Sequence, residues 1–320
     1  LNSVVEHDTV DGQLLSMATL SPSLLRRRCV SSVVVSFNLL CAVGQLAGAD
    51  EEGREVEKKI PAYRYPQMPG FSRMPYLQMS GPESMSIVWR TTKAMTPAVR
   101  FGTDMKNLDR KCEGADIIVK QKLKDMMRIA GPPPKSDQQP LFTAPDGTHQ
   151  YEASLKGLSP STRYFYAVFD GEERLTPEDP SFFLETHPVP GTDDELLFWV
   201  VGDSGTGEQR QQDVHQSMID YVSYNNLDLD LYLHVGDMAY SSGKDDEFQE
   251  HFFEMYDPTL RNTVCWPAMG NHEGGTSKGL YGYGPYYDSY IVPTTGEIGG
   301  EASGTEAYYS FDYAKVHFIV

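Results

Sequence analysis

The sequence predicts an all-β sandwich followed by an α/β unit, because the spacing of its apolar residues changes near residue 187. Before this point, short segments alternate apolar and polar residues between turns, as half-buried antiparallel strands do. After it, continuous apolar runs alternate with stretches of helical periodicity, which is typical of strands buried on both faces and joined by helices. Residues 186–194, rich in proline, glycine and acidic residues, mark the boundary.

The first unit is predicted over residues 73–187. Residues 84–92 and 97–103 alternate apolar and polar side chains, and the second of these segments closes on a glycine. Both segments therefore predict short strands. Residues 120–139, which contain a run of prolines, break the alternation and predict a loop insertion.

A turn at residues 158–162 is followed by alternating apolar side chains that begin at Tyr164. A tyrosine two residues after such a turn can hydrogen-bond back to the corner, as it does in β-sandwiches. This stretch resembles a fibronectin type III module. The resemblance implies a fibronectin III-like sandwich for the whole first unit.

The second unit, predicted over residues 188–320, has a βαβαβ pattern. Its predicted elements are buried strands within 195–205, 229–240 and 261–273, helices within 208–224 and 245–260, and a hairpin within 307–320. In the first helix, Val214, Met218, Tyr221 and Val222 have the spacing of a buried face. Strands and helices in this order predict a parallel sheet with helices on both of its faces.

Each of the three buried strands ends in a glycine followed by a polar side chain, and these side chains are Asp203, Asp237 and Asn271. Asp203 and Asp237 are 34 residues apart, as are Asp237 and Asn271, and this is about the length of one βαβ unit. The carboxyl ends of parallel strands meet at one edge of a sheet, so we expect the three side chains to lie together. Carboxylate and amide oxygens suit hard cations, and a bridging carboxylate favours two metals that clamp a phosphate ester.

The motifs at these strand ends resemble those of the metallophosphoesterase superfamily, and within it those of the purple acid phosphatases. Many superfamily members have histidine where this chain has Gly205, and aspartate where it has Tyr240. The motifs Gly-Asp-x-Gly, Gly-Asp-x-x-Tyr and Gly-Asn-His-Glu together match the purple acid phosphatase pattern. The fibronectin-like module in front resembles the large plant-type members. The resemblance implies that the second unit is the first part of the α/β metallophosphoesterase sandwich.

The resemblance also implies a dinuclear centre of Fe(III) and a divalent metal, which would be Zn, Fe or Mn. Asp203 and Tyr240 would bind Fe(III), Asp237 would bridge both metals, and Asn271 would bind the divalent one. Phenolate is a hard, strongly donating anion that stabilises Fe(III), and charge transfer from tyrosine to iron gives these enzymes their colour. His272 would contact the substrate phosphate and protonate the leaving alkoxide.

The implied activity is that of an acid phosphatase, which hydrolyses small phosphate monoesters by direct attack of a metal-bound hydroxide. Two alternatives stay open: a secreted metallophosphodiesterase of the same superfamily, and a secreted binding protein without catalysis. The family's three remaining ligands are histidines in later motifs, and this sequence shows neither motif. We therefore expect the chain to be the N-terminal part of a longer enzyme and to be inactive as it stands.

The first 49 residues predict a leader that contains a secretory signal peptide. Arginines at 26–28 precede an apolar stretch at 29–43, and the small residues at 47–49 form a cleavage site. Residues 50–72, charged and then proline-rich, predict a linker. The expected location is therefore extracellular, or vacuolar or lysosomal.

The charge of the chain limits its partners. The formal net charge is -18, from 45 acidic and 27 basic residues. This balance argues against nucleic acid and anionic membranes as partners, and it requires cations at any site that takes a phosphate. The expected partner is a small phosphate ester, while a homodimer and a disulfide between Cys112 and Cys265 both stay open.

Overall fold

The structure, a computed structural model, describes residues 5–10, 13–20, 65, 67–117, 144, 147–278 and 282–320. The predicted loop insertion at 120–139 lies outside these residues. The linker predicted at 50–72 is described only at residue 65 and from residue 67 onward.

The first unit is a sandwich of antiparallel strands. Its strands are β3 (Arg73–Gln78), β4 (Ser84–Thr91), β5 (Pro97–Gly102), β6 (Arg110–Glu113), β7 (Ala115–Ile117), β8 (His149–Lys156), β9 (Arg163–Asp170), β10 (Glu173–Arg174) and β11 (Phe183–Glu185). One sheet has the order β3-β4-β8-β7, and the other has the order β10-β9-β5-β6 with β11 also paired to β9. The strands predicted at 84–92 and 97–103 are thus confirmed as β4 and β5.

Aromatic side chains fill the space between the two sheets. Trp89 of β4 is fully buried and stacks on Tyr151 of β8, with 5.6 Å between the ring centroids. The Ser159 backbone N–H donates to Tyr164 Oη at 2.9 Å, which confirms the predicted hydrogen bond from this tyrosine back to the turn. A buried phenol with a backbone partner fixes the corner where the chain enters β9.

The second unit is an α/β fold built on parallel strands. Its elements are β12 (Leu196–Val201), α1 (Gln209–Tyr224), β13 (Leu231–His234), α2 (Asp245–Phe248), α3 (Glu254–Leu260), β14 (Cys265–Pro267), α4 (Glu273–Thr276), α5 (Pro285–Ser289), β15 (Ser310–Tyr313) and β16 (Val316–Ile319). A π-helical turn, Gln249–Phe253, joins α2 to α3, so the helix predicted over 245–260 is confirmed as one helical segment. β13 pairs in parallel with both β12 and β14, and β15 and β16 form the predicted hairpin. The predicted fold class is confirmed.

Helix α1 corrects one detail of the prediction. Its buried face consists of Gln211, Val214, His215 and Met218, whereas Tyr221 is 40% exposed. His215, on this buried face, holds the helix to α3 through the contact of 2.8 Å between its Nε2 and Thr259 Oγ1. The buried face of α1 is therefore more polar than the apolar spacing suggested.

Residues 5–10 and 13–20 form two antiparallel strands at one edge of the parallel sheet. They are β1 (Val5–Val10) and β2 (Gln13–Leu20), and β2 pairs antiparallel with β12. The sequence predicted only a leader in this region, and residues 21–49 of that leader lie outside the described residues. The free edge of β12 explains the pairing, because its backbone N–H and C=O groups bond to any extended segment that reaches them. The leader itself stays a prediction.

A buried cluster of charges joins the two units. Arg73 and Arg90 of the sandwich both approach Asp245 at the start of α2, and Arg90 Nη1 lies 2.6 Å from Asp245 Oδ1. The Arg73 guanidinium also lies over the Phe253 ring, 3.8 Å from its centroid. Burial by itself would raise the pKa of Asp245, but Arg90 and Arg73 lower it below its ordinary value. Two cations from one unit thus hold a buried carboxylate of the other.

Two further features of the described residues concern the cysteines and the possibility of a membrane span. Cys112 and Cys265 are both free thiols, so no disulfide joins them. Across the described ranges, no helix combines the length and the apolar character that a membrane span requires.

Candidate metal centre

The ends of β12 and β13 lie side by side because their loops share backbone hydrogen bonds. The Asp203 N–H donates to the Gly236 carbonyl at 3.0 Å, and the Gly205 N–H donates to the Asp237 carbonyl at 3.1 Å. The Tyr240 N–H in turn donates to the Gly205 carbonyl at 2.8 Å. This ladder brings both aspartates and Tyr240 to one edge of the sheet.

Gly205 allows the two loops to approach this closely. A Cβ atom at this position would lie 2.0 Å from the carbonyl carbon and oxygen of Met238. Contacts this short exclude every side chain, including the histidine that many superfamily members carry here. The glycine of the Gly-Asp-x-Gly motif is therefore required by the close packing of the two loops.

Three oxygen donors converge at this edge. Tyr240 Oη donates to Asp203 Oδ1 at 2.9 Å and lies 3.3 Å from Asp237 Oδ2. Asp237 is buried, Tyr240 is half-buried and Asp203 is exposed, so the cluster opens to solvent on the side of Asp203. Two carboxylates and one phenol form a hard donor set that fits Fe(III).

The electrostatics of the cluster also fit a cation. Burial, together with the neighbouring Asp203 and Asp237 carboxylates, raises the pKa of the Tyr240 phenol. Burial and the nearby Asp237 likewise raise the pKa of Asp203, although the hydrogen bond from Tyr240 opposes this change. A cation among these oxygens would favour their ionised forms, which is the reverse of both shifts.

Asn271 occupies the third strand end, after β14, and it is exposed. In the described part of the chain, no hydrogen bond joins its side chain to Asp203, Asp237 or Tyr240. Among the same residues, no group of three or more His, Cys, Asp and Glu side chains has the geometry to hold a metal. The structure thus brings together the three predicted Fe(III) and bridging ligands, and it places Asn271 on the neighbouring loop.

His272 lies against the cluster in a fixed orientation. Its Nδ1 lies 2.7 Å from the Ser241 carbonyl oxygen, which can only accept, so Nδ1 carries a proton. Its Nε2 lies 4.0 Å from Asp237 Oδ2, and its ring meets the Tyr240 ring edge-on with centroids 4.4 Å apart. The His272 backbone N–H also donates to Asp237 Oδ1 at 3.1 Å. Nε2 is therefore the ring atom that faces the predicted ligands.

Glu273 is a residue that the sequence interpretation missed. Its side chain is fully buried, and its two carboxylate oxygens accept the backbone N–H groups of Asp237, Met238, Ala239 and Gly270 at 2.9–3.0 Å. Burial raises the pKa of Glu273, while these N–H groups oppose that change. Its place at the end of the Gly-Asn-His-Glu motif was the signal available in the sequence, but the motif by itself does not show which backbone groups the carboxylate binds.

A chain of buried hydrogen bonds connects the ends of β12 and β13. The Gly236 N–H donates to His234 Nδ1 at 3.2 Å, so the ring proton is on Nε2, which donates to Ser204 Oγ at 2.8 Å. Tyr256 Oη donates to the same Ser204 oxygen at 2.9 Å. Burial lowers the pKa of His234 to about 3, which keeps this imidazole neutral and preserves the pattern of donors.

Comparison with known proteins agrees with this architecture. The model of the purple acid phosphatase N-terminal domain matches residues 74–183, and the model of the calcineurin-like phosphoesterases matches residues 196–316. Purple acid phosphatase 23 of Arabidopsis thaliana is 27% identical in an alignment of 277 positions that covers 76% of this chain and 56% of that protein. Probable inactive purple acid phosphatase 24 of the same plant is 27% identical in an alignment of 127 positions that covers 37% of this chain and 20% of that protein.

Among solved structures, purple acid phosphatase PPD1 from yellow lupin (Lupinus luteus) seeds matches with a TM-score of 0.54 and 18% identity, over 77% of this chain and 43% of that one. At this identity the likeness shows the fold. The chain spans between a fifth and little more than half of the length of the curated relatives that it matches. The chain therefore combines a domain that matches the purple acid phosphatase N-terminal domain with a domain that matches the calcineurin-like phosphoesterases, and the first of these relatives, a purple acid phosphatase, aligns across both.

Proposed function

We propose that the protein is an acid phosphatase that hydrolyses small phosphate monoesters with a dinuclear Fe(III)–divalent metal centre. One observation carries the proposal: the oxygens of Asp203, Asp237 and Tyr240 converge beside the ring of His272. The phenol of Tyr240 and the glycine at position 205 distinguish this site from many other members of the superfamily, which have aspartate and histidine at these two positions.

Asp203 and Tyr240 would hold the trivalent metal, Asp237 would lie between both metals, and Asn271 would hold the divalent one. When bound, the two cations would supply the positive charge that a phosphate ester requires and would lower the pKa of water. The chain itself is strongly acidic, so this charge has to be local. The acid pH range agrees with the secreted, extracellular or vacuolar or lysosomal location that the leader suggests.

The side chains around the metals would orient the substrate and move one proton. The Ser241 carbonyl holds the Nδ1 proton of His272, so only Nε2 is free to interact with the phosphate. A protonated Nε2 can donate to the ester oxygen as the bond to phosphorus breaks, which avoids the release of an alkoxide at acid pH. The hydrogen bond to Ser241 keeps the ring in this orientation throughout.

A binding protein without catalysis is the second candidate. It is favoured by the similarity to a relative that is named as a probable inactive purple acid phosphatase. Hydrolysis of a substrate distinguishes the two candidates, because a pure binding protein would take up a phosphate ester without cleaving it.

The test uses the full-length natural protein, supplied with iron and zinc and assayed with an aryl phosphate at about pH 5. We expect phosphate release and a visible absorption band from tyrosine–iron charge transfer. Tyr240→Phe should abolish this band, because the ring would keep its packing against His272 but lose the donor oxygen. Tyr224→Phe is the matched control, since Tyr224 is 91% exposed on α1 and should not affect the colour. A band that survives Tyr240→Phe, or an absence of hydrolysis, would contradict the proposal.

A further inference from the structure

Glu273 connects two of the strand ends that carry the predicted ligands. Oε1 accepts the N–H groups of Met238 and Ala239 at 2.9 and 3.0 Å, while Oε2 accepts those of Asp237 and Gly270, both at 2.9 Å. Each oxygen thus accepts two donors. Three of the donors belong to the loop after β13, and the fourth belongs to the loop after β14.

The two loops are packed so tightly that this contact determines their relative position. A Cβ atom at Gly270 would lie 2.1 Å from Asp237 Oδ1 and 2.7 Å from Glu273 Oε2. The His272 N–H also donates to Asp237 Oδ1, which is a second link between the same loops. With Glu273 removed, four buried N–H groups would lose their acceptor in the interior of the molecule.

A second glutamate shows what is specific to Glu273. Glu247 also accepts three backbone N–H groups, from Ser241, Ser242 and Lys244, each at 2.9 Å. All three donors belong to the loop that precedes Glu247, so this carboxylate stabilises the turn of one loop. Glu273 differs because its donors come from two loops that end different strands.

We propose that Glu273 is a positioning residue that fixes the spacing of Asp237 and Asn271, and thereby the spacing of the two metals. This inference rests on the proposed function for its metal-binding part. Glu273 accepts the N–H group of Asp237 itself, and it accepts the N–H group of Gly270, the residue directly before Asn271. The Glu273 carboxylate accepts backbone N–H groups of both loops, so it acts through the backbone.

The first test needs no metal. In Glu273→Gln the side chain keeps its shape, but the amide presents a donor to two of the four N–H groups whichever way it is turned. We expect the amides of at least two of Asp237, Met238, Ala239 and Gly270 to exchange with deuterium about 10- to 100-fold faster in the metal-free protein. The Val235 N–H, which donates to the Val201 carbonyl, should keep its protection and so reports on an intact sheet.

The second test measures the affinity for zinc by titration of the iron-loaded, full-length protein. In Glu273→Gln the affinity should fall about 10- to 100-fold, as is typical when a residue that supports metal ligands is lost. Glu247→Gln is the matched control and should bind zinc as the natural protein does. Unchanged exchange at all four amides, or unchanged zinc affinity in Glu273→Gln, would overturn the inference.

The two tests separate the two possible failures. If the natural protein binds no metal, the proposed function fails, while the exchange of the four amides still decides whether Glu273 holds the loops together. If Glu273→Gln also loses protection at Val235, the shorter Glu273→Asp is measured instead. It keeps the negative charge but cannot reach all the donors, so we expect faster exchange in at least one loop. Full protection in that variant would also overturn the inference.

Discussion

At the residue scale, the two aspartates of the site share an unusual backbone conformation. Asp203 has φ = 53° and Asp237 has φ = 57°, both in the left-handed region that most side chains avoid. Such residues persist where the surroundings determine the conformation, and they are concentrated at functional sites. Here the surroundings are the shared hydrogen bonds of the two loops, which turn both carboxylates toward Tyr240.

The sequence predicted most of the residues that meet at the site, but not what holds them in place. The spacing of the motifs and the parallel strand order predicted that Asp203 and Asp237 meet, and the family resemblance implied that Tyr240 joins them. The same spacing placed Asn271 with them, whereas among the described residues no hydrogen bond joins its side chain to the cluster. Glu273 and His234 could not be predicted, because their roles depend on backbone groups of neighbouring loops. Their residue types and positions in the sequence give no sign of those partners.

His272 gives a prediction at this scale. His272→Asn should lower kcat about 10²- to 10⁴-fold for an alkyl phosphate, whose leaving oxygen requires a proton. For an aryl phosphate with an acidic phenol as leaving group, the loss should be much smaller. The measurement is kcat for both substrates with the natural protein and the variant. Equal losses for the two substrates would show that His272 does not act as the proton donor.

At the element scale, the strand ends set the precision of the site. β12, β13 and β14 are short, and the loop after β13 forms hydrogen bonds with the loops after β12 and β14. The sequence predicted these strands well because a buried strand is a continuous apolar run. It predicted the face of α1 less well, since Gln211 and His215 are buried through polar contacts that apolar spacing does not reveal.

Gly205 gives the corresponding prediction. Gly205→Ala would place a methyl group within the Met238 backbone, so the loops after β12 and β13 must separate. We expect the free energy of unfolding to fall by about 1–3 kcal/mol, as for other overpacked sites. Denaturant unfolding of the metal-free protein measures this change.

Gly274→Ala is the matched control for this substitution. Gly274 lies in α4, and nothing would lie within 4 Å of an added Cβ. This variant should be as stable as the natural protein or more stable by up to about 1 kcal/mol, because alanine is the better helix former. Equal stability of the two variants would contradict the close approach of the loops.

At the scale of the whole molecule, one hydrophobic core runs through both units. The Tyr76 ring of the sandwich lies 4.7 Å from the Phe253 ring of the helical segment, measured between centroids. The fold class could be predicted because the strand and helix periodicities are local. The contact between the units could not, since Arg90 and its partner Asp245 are 155 residues apart in sequence.

Three buried histidines give a pH dependence to the whole protein. Burial lowers the pKa of His187 to about 3, of His215 to about 4 and of His234 to about 3. The ordinary pKa of histidine is about 6.5. Below this pH the histidines of the unfolded chain are protonated, whereas these three stay neutral in the folded protein. Stability is therefore complete above pH 6.5 and is lost as the pH falls, by up to about 1.4 kcal/mol per pH unit for each histidine.

We expect the midpoint of denaturant unfolding of the metal-free protein to fall steadily between about pH 6.5 and pH 5, before most carboxylates titrate. His215→Gln should reduce this slope, since it removes one of the three groups. A midpoint that does not change over this range would contradict the neutral, buried state of the histidines. An enzyme that works in acid would have to recover this loss in another way, and metal binding to the folded state is one means.

The buried cluster of Arg73, Arg90 and Asp245 has a consequence for engineering. A sandwich transplanted from another protein would remove both guanidinium groups and leave an isolated anion in the interior. The N-terminal module therefore cannot be exchanged for that of another protein without destabilising the second unit. A chimera has to inherit the three residues together or replace all of them by apolar side chains of similar volume.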